Sequence, residues 1–186
     1  MRAPGRLLAT SYPLADGGVL VASGYLDLAN LVGYASSEVY TFGVGFSDAG
    51  ALPFQAGAPA FGLLSNGTPL LAGGGTDGGT RAEGRSALWS NSAWALDGPL
   101  NDARRGASST VLPSGRVMVS GGAFGPAASP TELATTEVFG LLDAGASCVG
   151  DGLCASQHCS PQGVCCDTAC TGACESCNQT GSLGVC

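Results

Sequence analysis

The sequence predicts an all-β chain in which a four-stranded antiparallel sheet is built three times, followed by a small module held by disulfides. Three observations carry that reading. A hairpin phrase ending in a small-residue–glycine pair occurs three times, an aromatic position recurs at the same period, and all nine cysteines lie at or beyond position 148.

The clearest copy of the phrase is Thr110-Val111-Leu112-Pro113-Ser114-Gly115-Arg116-Val117-Met118-Val119-Ser120-Gly121-Gly122. Ser65-Asn66-Gly67-Thr68-Pro69-Leu70-Leu71-Ala72-Gly73-Gly74 repeats it, as does Ala15-Asp16-Gly17-Gly18-Val19-Leu20-Val21-Ala22-Ser23-Gly24. The turn glycines Gly17, Gly67 and Gly115 are 50 and 48 residues apart, and the aromatics Tyr40, Trp89 and Phe139 are 49 and 50 apart. A further pair, Phe46 and Trp94, keeps a spacing of 48. Short strands at a period of roughly 40–50 residues are the pattern of propeller blades. Three blades do not close a ring, since propellers typically have about 4–8. The expectation is therefore that this chain belongs to a longer propeller or associates through its open ends.

Each element follows from local chemistry. Asp16-Gly17 and Asn66-Gly67 are hairpin signals, and a two-residue type I′ turn with positive φ at both positions is expected there. Val19-Leu20-Val21 and Val117-Met118-Val119 are continuous apolar runs, suited to strands covered on both faces. In the second repeat the strands are expected at about residues 60–64, 69–73, 86–89 and 93–96, with the loop 74–85 joining the middle pair. Residues 26–32 read as the same loop in the first repeat, and 99–104 lead into the third as 1–6 lead into the first. The repeats are expected at about 6–56, 57–104 and 105–142 within a unit spanning 1–142.

An apolar strand ending in a glycine pair, followed by an aromatic and a second aromatic a few positions on, resembles the kelch repeat. Gly73-Gly74 and Gly121-Gly122 match the glycine pair, while Ser23-Gly24 departs by one residue. Tyr40 with Phe46 and Trp89 with Trp94 match the aromatic pair, and Phe139 lacks a second aromatic because the cysteine segment intervenes. The resemblance implies a partial kelch-type β-propeller, a fold used mostly for binding other molecules. A fold alone does not name a function.

After a linker at 143–147, the cysteines run Cys148, Cys154, Cys159, Cys165, Cys166, Cys170, Cys174, Cys177 and Cys186. The large apolar residues among them are Val149, Leu153, Val164, Leu183 and Val185, too few for a core, so residues 148–186 need staples. Disulfides in an oxidising compartment are the expectation, which places the chain outside the cell or on its surface. Leu7-Leu8-Ala9 is well short of a signal-peptide apolar region, so the export signal is expected on an upstream segment, or the start is misassigned. Gly163-Val164-Cys165-Cys166-Asp167-Thr168-Ala169-Cys170-Thr171-Gly172-Ala173-Cys174-Glu175-Ser176-Cys177 is similar to cysteine-rich tails of large secreted bacterial proteins. Nine is an odd number, and Cys186 is expected to find its partner beyond the present C-terminus or to be a free or intermolecular thiol. Zinc is disfavoured because Cys174-x2-Cys177 is a lone hook, with His158 beside Cys159.

Composition excludes several functions. The net charge is −7 and all seven basic residues are arginine, which argues against nucleic acid. No apolar run reaches the roughly 18 residues that suggest a membrane helix. The single histidine, His158, lies among the cysteines and removes histidine-dependent triads and copper chemistry from the repeats. Gly73-Gly74-Gly75-Thr76-Asp77-Gly78 fits a dinucleotide fingerprint literally, but no helix is expected after it. Asp77, Glu83, Asp97 and Asp102 lack calcium-loop spacing and read as solvated loop charges. Arg104-Arg105 reads as packing or turn support, Asn66-Gly67-Thr68 as a turn, and Asn178-Gln179-Thr180 as a sequon by pattern. No catalytic, cofactor or metal residue is expected. The expected function is a non-catalytic secreted or cell-surface binding module, its blade loops meeting a protein or carbohydrate ligand. The alternatives are the scaffold of a larger secreted enzyme and a disulfide-linked structural surface protein.

Overall fold

The structure is a computed structural model that describes the chain apart from residues 1–4, 28, 30, 77–80, 149, 152–153 and 172–175. It divides into two compact units, Met1–Phe139 and Gly140–Cys186. Every named element is a strand, so the all-β expectation holds.

Among the described residues the first unit contains three larger antiparallel sheets in sequence order, with two two-stranded inserts. The first is β1 (Thr10–Pro13), β2 (Val19–Ala22), β3 (Tyr34–Thr41) and β4 (Gly45–Ala56), each paired with the next. The second begins with β5 (Ala60–Leu63) and β6 (Pro69–Ala72). A two-stranded insert, β7 (Gly75–Thr76) and β8 (Arg81–Ala82), precedes its last strands, β9 (Arg85–Ser90) and β10 (Ala93–Pro99). The third has β11 (Ser108–Val111) and β12 (Val117–Ser120). An insert of β13 (Ala123–Phe124) and β14 (Thr131–Glu132) then leads to β15 (Thr136–Phe139). Registers match from sheet to sheet: Leu20 faces Val39, Leu70 faces Leu88 and Met118 faces Val138. Tyr40, Trp89 and Phe139 each follow one of those residues, so all three occupy one position of the repeated sheet.

Two expectations are corrected here. Among the described residues the third sheet has three strands rather than four, and no sheet closes on itself. After Phe139 the chain runs through Gly140, Leu141 and Leu142 to a turn at 144–145, with no run resembling Ala93–Pro99. The hairpin turns also differ from type I′. Only the glycine has positive φ: +85° at Gly17, +79° at Gly67 and +75° at Gly115. Leu14, Leu64 and Leu112 accept from those glycines and donate to Gly18, Thr68 and Arg116. This is the longer hairpin with one left-handed glycine. Asp16 and Asn66 support it by accepting from the backbone N–H two residues on, the usual service of those side chains in turns.

Burial gives the stacking order. All four residues of β6 are buried, whereas β2 and β12 bury alternate residues. The middle sheet is covered on both faces and the outer two on one, which corrects the expectation for Val19-Leu20-Val21 and Val117-Met118-Val119: of these three strands only β6 is fully buried, and the apolar runs of β2 and β12 bury one face. Leu20 and Ala22 meet Leu71, Ala87 and Trp94 in one core. Val117 lies against the β5 backbone at Gly62, where an added Cβ would sit 2.7 Å from it. Side-chain bonds tie the first two sheets together: Trp94 Nε1 donates to Ser37 Oγ at 3.0 Å and Tyr12 Oη to the Leu70 carbonyl at 2.8 Å. Tyr12 is buried and packs edge-on against Phe61. Tyr12→Phe keeps the ring and removes that bond, so chemical denaturation should show a loss of about 1 kcal/mol.

In the second unit, disulfides join Cys148 to Cys159, Cys154 to Cys165, Cys166 to Cys177 and Cys170 to Cys186. Cys186 therefore pairs within the chain, correcting the expectation of a partner elsewhere. Backbone bonds fold the C-terminus back to make that possible: Gly184 donates to Cys177, Asp167 to Gly184, and Cys186 to the Asp167 carboxylate. The ninth cysteine, Cys174, lies outside the described residues. Cys148, Cys154 and Cys165 form a small core with Leu142 and Cys159. In place of a hydrophobic interior the unit has sulfur, as its composition requires.

Candidate functional site at the long-loop end

The meander of each sheet places short turns at one end and long connections at the other. Turns such as 14–17, 64–67 and 112–115 follow the first strand of each sheet. The loops after β2, β6 and β12, together with the links between repeats, share the opposite end. There each link bridges to the residue 18 positions on: Leu7 to Tyr25, Gly57 to Gly75, and Arg105 to Ala123.

The glycine pairs create this end. Ser23, Gly73 and Gly121 have φ of +58°, +68° and +66°, and Gly24, Gly74 and Gly122 have +100°, +117° and +88°. The second residue of the pair also donates to the residue just before the next repeat, Gly24 to the Ala56 carbonyl at 3.1 Å and Gly74 to the Arg104 carbonyl at 2.8 Å. A glycine is needed where the backbones approach so closely: a Cβ on Gly24 would lie 2.9 Å from the Leu7 oxygen and one on Gly74 2.9 Å from Ala56 Cβ.

These contacts gather side chains from three repeats. The ring of Tyr25 lies where a Cβ on Gly57 would be, 2.0 Å from that position, and its hydroxyl is 2.1 Å from the corresponding position on Gly75. Arg105 approaches the same Gly75. Burial pushes the Tyr25 hydroxyl up from its ordinary range, partly opposed by the positive charge of Arg105. Beside them is a polar groove of about 500 Å³ lined by Gln55, Thr76, Arg81, Glu83 and Arg85. Arg85 donates twice to Glu83, both bonds 2.7 Å, and stacks 4.9 Å above Phe54. Burial alone would push the Glu83 carboxyl up. The hydrogen bonds and charge of Arg85, with the Gly84 and Arg85 backbone N–H groups, outweigh burial and hold it below the usual range. The stability this pair contributes is thus present above the unfolded carboxyl value of about 4.3 and is lost as pH falls through the lower folded value. Acid titration of Glu83→Gln should be flatter than that of the parent chain below about pH 4.3.

Two buried ion pairs stand behind the loops, and the sequence reading did not find them. Arg104, fully buried, places Nη2 2.6 Å from Glu137 Oε1 and donates Nη1 to the Gly121 and Thr135 carbonyls. Arg6 does the same in the first repeat, 3.3 Å from Glu38, with bonds to the Ser23 and Ser36 carbonyls. In the second repeat and the residue leading into it both positions are alanine, Ala87 and Ala56, each fully buried. The signal was present as a period: positions 6, 56 and 104 carry Arg, Ala, Arg while 38, 87 and 137 carry Glu, Ala, Glu.

A second concavity runs along the first strands β1, β5 and β11. It measures about 600 Å³ and has no charged residue in its lining, which includes Ser11, Pro13, Phe61, Leu63, Ser108 and Val111. Ser109 Oγ donates to the Phe61 carbonyl at 2.7 Å and accepts from the Phe61 N–H, which blunts the open edge of β5.

The other sequence candidates are dispersed. Glu83 is held by Arg85, Asp97 accepts from Ser86, and Asp102 accepts from Thr135. Asp77 lies outside the described residues. The glycine-rich stretch after β6 enters the β7–β8 insert and not a helix. His158 sits in the cysteine unit, its carbonyl accepting from Cys166. No helix among the described residues is long and apolar enough to cross a membrane. The four disulfides are compatible with an extracellular setting.

No family model matches the chain, and no curated protein matches it. Among solved structures it is similar to the one titled "Structure of YjhT", with a TM-score of 0.61 at 12% identity over 76% of this chain. The match covers 44% of that protein, so the chain spans less than half the length of its neighbour. At such identity the likeness concerns the all-β fold.

Proposed function

We propose that the first unit is part of a kelch-type β-propeller acting as a non-catalytic binding module outside the cell or on its surface, with the long-loop end as its contact surface. The observation carrying this reading is the convergence of Tyr25, Gly57, Gly75 and Arg105, from three successive repeats, at one end of the stacked sheets. Loops on a rigid scaffold are where binding residues concentrate. The charges best placed for chemistry, Arg6, Glu38, Glu83, Arg85, Arg104 and Glu137, are occupied in ion pairs that hold the scaffold. The repeat also leaves two uncovered faces of matching kind. Val138 is 51% exposed on the outer face of the third sheet, and Tyr40 is 36% exposed on that of the first. Further blades, or the same sheets of another copy, would cover them.

The test uses the full chain against neutral and acidic oligosaccharides and purified extracellular proteins. Arg81→Ala and Arg105→Ala alter the long-loop end, whereas Phe42→Ser and Val44→Ser alter the opposite turn. Binding lost only in the first pair supports the proposal. Binding lost only in the second pair, no binding to any probe, or turnover of a probe overturns it.

A further inference from the structure

We propose that the second half of the cysteine unit, once its two disulfides are reduced, is a four-thiolate site for a zinc-class divalent ion, with Cys166, Cys170, Cys177 and Cys186 as ligands. All four Sγ atoms lie within 4.8 Å of one another. Four sulfurs at about 2.3 Å from a tetrahedral ion are about 3.8 Å apart. The disulfide partners must separate, and the other pairs need shift by only about 1 Å or less to meet that geometry.

The loops bearing the sulfurs are fixed by bonds that do not involve sulfur. Gly184 donates to the Cys177 carbonyl, Asp167 to the Gly184 carbonyl, and Cys166 to the His158 carbonyl. The Asp167 carboxylate accepts from the N–H of Cys186 at 3.0 Å and from that of Thr168 at 2.8 Å. These bonds gather the four positions in the oxidised unit, and on reduction the ion takes over from the two disulfides in holding them together. Cys166 and Cys177 are buried, and a cavity of about 360 Å³ lined in part by Cys166, Cys170 and Cys177 gives access. The first half of the unit differs, because only Cys148, Cys154 and Cys159 are mutually within that range, and Cys165 is not.

The chemistry balances with a dithiol reductant. Each disulfide takes up two electrons and two protons, and the reductant leaves as its own disulfide. The ion then displaces one proton from each of four thiols to solvent. Exchange with two molecules of an oxidised dithiol, each reduced by two electrons and taking up two protons from solvent, re-forms the two disulfides and releases the ion, so occupancy follows redox state. A unit with so small an apolar interior depends on one of the two cross-links, sulfur to sulfur or sulfur to metal.

The experiment reduces the full chain anaerobically, removes the reductant, and titrates it with Cd²⁺ and with Zn²⁺ against a chromophoric chelator. Protease resistance of the second unit is read in parallel. One ion per chain is expected, with thiolate charge-transfer absorbance, regained protease resistance, and affinity at least about tenfold weaker in Cys170→Ser and Cys186→Ser. Cys148→Ser/Cys159→Ser and Cys174→Ser should retain the ion. Unchanged affinity in Cys186→Ser, equal loss in either control, or absence of both binding and protection overturns the assignment.

Discussion

Glu137→Ala should destabilise the first unit by about 3–5 kcal/mol, the cost of leaving a buried charge without its partner. Arg104 is fully buried, and its charge is met by Glu137 at 2.6 Å, with Asp102 more distant at 3.8 Å. Glu137 also accepts from the backbone N–H groups of Asn101 and Asp102, so its removal frees the link between repeats as well. The double change Arg104→Ala/Glu137→Ala should recover much of the loss. The second repeat and the residue leading into it are the precedent, since Ala87 and Ala56 occupy these positions there and are fully buried. Replacing a buried pair by apolar residues is often neutral, whereas breaking one is not. Both tryptophans, Trp89 and Trp94, are in the first unit, so their fluorescence during guanidinium unfolding reports its stability. A double variant no more stable than Glu137→Ala would show that the pair does more than neutralise itself.

The same comparison shows what could be read from the letters. The glycine pair and the aromatic period were legible because each rests on a local requirement: left-handed backbone at Gly73 and Gly74, and a fixed register for Tyr40, Trp89 and Phe139. The turn type was not, since Asp16-Gly17 and Asn66-Gly67 suit both the two-residue turn and the longer one with a single left-handed glycine. Arg104 and Arg105 are adjacent and chemically identical in sequence. Only the fold turns one inward to Glu137 and the other toward the Gly125 carbonyl. The pairing of Cys186 was hidden for a related reason, because the backbone bonds that return residue 186 to Asp167 leave no mark in cysteine spacing. The missing fourth strand of the third sheet was half visible, in that Phe139 has no aromatic successor.

Gly73→Ala should cost about 3 kcal/mol or more, and Gly121→Ala only about 1, although both glycines open the same motif. Their backbones agree, with φ of +68° and +66°, so both variants bear the strain of an L-residue in the left-handed region, about 1–2 kcal/mol. Their surroundings differ. A Cβ on Gly73 would lie 2.4 Å from the Arg104 carbonyl oxygen, the acceptor of the Gly74 bond that joins the second and third sheets. On Gly121 the nearest atom would be the Leu133 oxygen at 3.6 Å. The wedge at Gly73 must move backbone, which adds overpacking to strain. Ser23 completes the series from the other side. It already holds φ +58° with a side chain, and its buried hydroxyl has no hydrogen-bond partner. Ser23→Gly relieves about 1–2 kcal/mol of strain and adds unfolded-state entropy worth about 0.4–1 kcal/mol. The net effect should be neutral to slightly stabilising by the same fluorescence assay. The order Ser23→Gly, Gly121→Ala, Gly73→Ala, from harmless to severe, depends on the third sheet stacking against the second and on nothing covering Gly121. Equal losses at Gly73 and Gly121 would mean that another sheet, from a further blade or a second copy, closes on Gly121 as the third sheet closes on Gly73.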